Sequence, residues 1–138
     1  MAEDKSKNDG PEAGLEDVGA SQAEGASHPQ DAPHQEYSYI EDIQALVSQV
    51  ADDTIISRTF FDGDNVKGIL FGFAAGQELS EHTASRPAIL HFLSGEAELT
   101  LGADSMVAEK GAWVHMPANL SHSIVARTPV VMLLLLVR

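Results

Sequence analysis

The 138 residues contain no cysteine. Disulfides, thiolate metal sites and cysteine nucleophiles are therefore excluded, and any metal must be held by nitrogen and oxygen. The lack of cysteine fits a reducing compartment. Basic residues are scarce, 8 Lys+Arg against 21 Asp+Glu, for a formal net charge of −13. So acidic a chain offers no basic surface, which argues against nucleic acid and anionic membranes as partners. No long hydrophobic run occurs: the longest, "VVMLLLLV" (Val130 to Val137), has eight residues, where a membrane helix needs roughly 20. The N-terminus lacks the apolar stretch of a signal peptide. A soluble cytoplasmic protein is the expectation.

The first 36 residues have no aromatic residue and, after Met1, only Leu15 and Val18 as large aliphatics. They hold nine acids and two bases. Such a segment buries too little apolar area to offset the entropy of ordering it, so 1–36 is expected to be a disordered acidic tail. One globular domain over 37–138 follows. It is expected to open with a short helix from Tyr39 to Ser48. "SYIE" has the capping-box pattern, and Ile40, Ile43, Leu46 and Val47 give one apolar face.

Beyond the helix the pattern is all-β. Strands are expected at Thr54–Phe61, Val66–Phe73, Pro87–Leu93, Glu96–Leu101, Ser105–Glu109, Ala112–Met116, Ser121–Ala126 and Val130–Val137, punctuated by glycine, proline, asparagine and aspartate. Short strands at this spacing point to a sandwich or barrel. "EAELTL" alternates, with Ala97, Leu99 and Leu101 facing in. "VVMLLLLV" does not alternate and is expected to be covered on both faces, by the helix or by a second copy in a homodimer.

Six histidines are present. His28 and His34 lie in the tail, while His82, His91, His115 and His122 lie in the β region. Imidazole is a common metal ligand and suits iron, nickel, zinc or copper. No phosphate-binding glycine loop or nucleophile elbow accompanies them. Met106, Met116, Met132 and Trp113 read as packing, and Glu78, Glu81 and Arg86 as rim charges. A rim arginine can hold a carboxylate.

Two spacings stand out. Gly76 is followed after five residues by His82, with Gly95 closing the next strand; Gly111 is followed after five by Pro117, then Asn119 and His122. Together they resemble the two motifs of the cupin superfamily, G-x5-H-x-H-x3-4-E-x6-G and G-x5-P-x-G-x2-H-x3-N. The short spacer between Gly95 and Gly111 is similar to that of small single-domain bacterial cupins. The resemblance implies an RmlC-like jelly-roll barrel, a double-stranded β-helix, here preceded by one short helix and the tail. It also implies a mouth lined by His82 and His122.

The departures bear on function. The position of the second motif-1 histidine holds Ala84, that of the glutamate holds Ala88, and Ala126 replaces the motif-2 asparagine. Asn119 stands for the motif-2 glycine, a conservative change in a left-handed turn. Two of four implied metal ligands are thus methyl groups. His91 is the candidate third ligand if a bulge near Pro87 turns it inward; strand parity otherwise turns it outward. The expected function is binding of a small molecule, through His82, His122 and Arg86, or of a divalent metal (Fe, Ni, Zn or Mn), through His82, His122 and His91. The alternatives are a dioxygenase- or isomerase-like metal enzyme using His82 and His122, and an interaction protein whose tail docks a partner.

Overall fold

The computed structural model of the protein describes residues 36–138, so the expectation of a disordered tail, and of tail-mediated docking, lies outside the described residues but for Glu36. Nine strands follow in chain order: β1 Ile55–Asp62, β2 Val66–Phe73, β3 Glu78–His82, β4 Ala88–Ser94, β5 Glu96–Leu101, β6 Asp104–Glu109, β7 Trp113–Met116, β8 His122–Ala126 and β9 Val130–Val137. They form two antiparallel sheets, ordered β1-β2-β9-β4-β7 and β3-β8-β5-β6. This is the jelly-roll arrangement of an all-β barrel.

Alternation sets the core. Directly paired residues share a face, so the register of the five-stranded sheet sorts its side chains. Phe73, Val130, Met132, Phe92, Leu90, Ala88 and Met116 point inward and are almost completely buried. From the four-stranded sheet, Ala97, Leu99, Ile124, Ala126 and Ala108 meet them. Each large apolar side chain so buried contributes about 1.5–3 kcal/mol of transfer free energy. β5 follows its sequence pattern, with Ala97 and Leu99 buried and Glu98 exposed between them.

The N-terminal helix is shorter than the sequence predicts. It is a 3-10 turn, Ile43–Val47, with Asp42 as N-cap and no side-chain capping bond. Tyr37 and Tyr39 are exposed and Ile40 is at the surface, so the first half of the expected apolar face finds nothing to pack on. A lone turn persists only where tertiary packing holds it, here at the buried Val47. A Cβ added at Gly72 would lie 2.7 Å from the Val50 side chain and 3.4 Å from that of Val47. The segment therefore lies on the outer face of β2, and the outward residues of β9, Val131, Leu133 and Leu135, are half-buried.

One strand was not foreseen. β3, "ELSEH", has Leu79 as its single apolar residue and is otherwise exposed. It is an edge strand paired only to β8, so its place is set by a ladder and not by burial. Among the described residues no helix is long and apolar enough to cross a membrane.

Candidate functional site

His82 ends β3 and His122 begins β8, and their Cα atoms are directly paired. His122 shares the inward parity of Ile124 and is only 6% exposed. Parity alone would turn His82 the other way, because Leu79 is paired inward with Ile124. A register shift between Leu79 and His82 places one extra residue in β3. Such a bulge re-aims the side chains beyond it. It brings the two rings together, with centroids 4.2 Å apart and planes tilted by 56°.

The orientation of both rings is fixed in the same way. His82 Nδ1 lies 2.9 Å from the Ser80 carbonyl oxygen, and His122 Nδ1 lies 2.9 Å from that of Leu120. A carbonyl only accepts, so each Nδ1 carries a proton and donates it. In the neutral ring the lone pair is then on Nε2. A backbone carbonyl on the far nitrogen is the usual way a ligating imidazole is oriented. Ser121 Oγ donates to the Glu81 carboxylate, tying β3 to the start of β8 beside the pair.

The two motif segments are joined by their backbones. Asn119 has φ 70, the left-handed conformation expected of a residue in the glycine position. Its N–H donates to the Ala84 carbonyl at 2.7 Å. Opposite, on the five-stranded sheet, the inward residues at the same end are apolar: Ala88 is 1% exposed and paired with Met116 and Leu136.

His91 is not brought to the pair. The β4–β7 ladder runs in unbroken register from Ala88 to His91, with Leu90 inward. The irregularity in β4 comes later, between Phe92 and Ser94. Without a bulge near Pro87, His91 faces outward between Leu133 and Trp113, the orientation that strand parity alone gives it. His115 faces outward beside Ile89. Arg86 is exposed and lies with Lys67 and Arg138 around a pocket of about 450 Å³ whose lining does not include the two histidines. The company of Lys67 and Arg138 was not legible in the sequence, because strand order and register bring them there.

Among the described residues no group of three or more His, Asp or Glu is placed to hold a metal ion. Catalytic zinc sites typically have three protein ligands. The two imidazoles fit half of such a site, and the methyls of Ala84 and Ala88 add nothing. The residues present do not by themselves make a metal centre.

A two-sheet antiparallel jelly roll with a histidine pair at one end defines a class of small barrel proteins. The chain belongs to the cupin domain family, whose model matches residues 69–137. None of the curated proteins matches it. A conserved protein of unknown function from Streptococcus pyogenes is 28% identical, with TM-score 0.66, covering 75% of this chain and 90% of that one. A cupin superfamily protein from Desulfitobacterium hafniense is 24% identical, with TM-score 0.62, covering 64% of this chain and 82% of that one. An RmlC-like cupin from Shewanella frigidimarina is 13% identical, with TM-score 0.61, covering 75% and 91%. The last two show the shared fold alone.

Proposed function

We propose that this protein is a ligand-binding cupin whose barrel mouth takes a small molecule, held by His82 and His122 with Arg86 at the rim. The observation that carries this reading is the oriented pair. Both Nδ1 atoms are committed to backbone carbonyls, so both Nε2 atoms are left as polar anchors at an end of the barrel where the inward residues of the five-stranded sheet, Ala88, Met116 and Leu136, are apolar. A few convergent polar groups in an apolar surround are the ordinary make-up of a ligand pocket.

The test is a thermal-shift screen of a metabolite library on the full chain, repeated with His82→Ala and His122→Asn. Compounds that stabilise the natural protein and lose their effect in both variants support the reading. Hits indifferent to both substitutions would remove the pair from the site.

The free Nε2 atoms also favour a second reading, a divalent ion (Fe, Ni, Zn or Mn) held by two imidazoles and completed by an exogenous chelating ligand. Elemental analysis of protein purified without a chelating column decides it: near-stoichiometric metal lost in His82→Ala supports this reading, and metal-free protein that does not bind on titration rejects it.

We further propose that the chain forms a homodimer through the outer face of β9, β4 and β7. That face presents Val131, Leu133, Leu135, Ile89, His91, Trp113 and His115, with Trp113 60% exposed. None of these is a carboxylate or a permanent cation. In a chain of net charge −13, an uncharged face is where two copies approach with least repulsion.

A further inference from the structure

The described domain is acidic, yet three of the six basic residues in 37–138 line one pocket: Lys67, Arg86 and Arg138. They come from three separate places, the start of β2, the β3–β4 loop and the residue after β9. Lys67 is paired in register with Leu136 and points to the inner side of its sheet. It is half-buried, and among the described residues it makes no ion pair. Arg86 likewise makes none. Arg138 is engaged, with its Nη2 donating to Asp62 Oδ1 at 2.5 Å and its backbone N–H to the Asn65 carbonyl at 2.9 Å. Asp62 is also the cross-strand partner of Lys67.

Like charges gathered at one spot repel unless something compensates them. Among the described residues only Arg138 of the three has an ion-pair partner, and the cavity between the cations, about 450 Å³, is of ligand size. Its remaining wall is apolar, with Ala84 and Leu136, and Ser85 adds a hydroxyl. An arginine fork matches a carboxylate in two parallel hydrogen bonds, and a lysine adds a point charge. We propose that this pocket binds a small organic carboxylate, its anionic head between Lys67 and Arg86 and its apolar part against Ala84 and Leu136. The inference extends the small-molecule reading to the pocket beside the histidines and rests on that reading only in treating this end of the barrel as a binding mouth.

Hexanoate and its neutral isostere hexanamide test it on the full chain, followed by amide proton–nitrogen correlation spectra. Hexanoate is expected to shift the amides of Ser85, Arg86 and Arg138 saturably, and hexanamide to leave them unmoved. Lys67→Met and Arg86→Met, which keep the aliphatic stems, are each expected to weaken hexanoate by roughly tenfold, the loss of one charge-assisted bond. Their spectra elsewhere report that the fold is intact. Equal binding of hexanamide, an unchanged response in both variants, or no saturable shift with hexanoate would overturn the proposal. Tighter binding of inorganic phosphate than of hexanoate would overturn the carboxylate assignment. The same titration on His82→Ala separates the two sites. A preserved hexanoate response beside a lost metabolite or metal response shows two independent sites, whereas no saturable hexanoate response in the natural chain, beside a metabolite or metal response that His82→Ala abolishes, shows the carboxylate pocket failing while the histidine reading stands.

Discussion

His82 faces His122 because β3 carries one more residue than β8 between the Leu79–Ile124 pair and the histidine pair. The bulge that supplies it also supplies the Ser80 carbonyl that holds the His82 ring. The two rings are nevertheless unequal, since His82 is exposed and His122 is 6% exposed within the core. Substituting them is expected to separate ligand binding from stability. His82→Ala is expected to change unfolding free energy by no more than about 0.5 kcal/mol, as at an ordinary surface site. His122→Ala leaves a cavity and is expected to cost about 2–3 kcal/mol. Urea unfolding of the two variants checks this, and equal losses would contradict the inequality of the rings.

Ala84 and Ala88 occupy the places where the family's motif has ligands, which makes the metal question open to construction. Ala84→His with Ala88→Glu is expected to bind Zn2+ at least tenfold more tightly than the natural chain in a calorimetric titration. Ala88 is buried at 1% exposure, so without metal the new carboxylate lacks a partner and the double variant is expected to melt lower. Added Zn2+ is expected to restore the loss, because an ion that binds only the folded state stabilises it. Unchanged affinity would mean that these positions do not converge on the histidine pair.

Gly95 closes the first motif at φ 88, and a Cβ there would lie 2.0 Å from the Pro129 carbonyl oxygen and 2.8 Å from Val130 Cα. Both neighbours are backbone and cannot step aside. Gly95→Ala is expected to destabilise by more than about 3 kcal/mol, combining left-handed strain with a main-chain clash. Chemical denaturation measures it. Gly111→Ala is the comparison: it has φ 96 but nothing within 4 Å, so only the strain applies and the loss is expected to be smaller.

The outer face of β9 gives the assembly prediction. Leu133 sits at its centre, flanked by Leu70 and His91. Leu133→Glu places a carboxylate on the proposed contact and is expected to convert a dimer to a monomer in light scattering after size exclusion, with the same circular dichroism. A natural chain that elutes as a monomer at every concentration would remove the interface.

The strand ladder was largely legible. β2, β5 and β9 begin and end where apolar alternation or an apolar run begins and ends, because burial on one or both faces dictates that pattern locally. β3 was not legible, since an exposed edge strand is held by backbone bonds that leave little mark on composition. The N-terminal helix was overestimated because capping and periodicity act locally, while its first half found no surface to cover.

The sequence by itself determined the barrel, the spacing of its two glycine-bounded motifs and the absence of two ligand-bearing side chains, for these depend on residue identity and short-range order. Only the tertiary structure decided which way the histidines face. A bulge turned His82 inward, an unbroken ladder kept His91 outward, and the start of β2, the β3–β4 loop and the end of β9 brought Lys67, Arg86 and Arg138 around one pocket. Each outcome depends on register between distant segments, and one residue of register reverses a side chain's face.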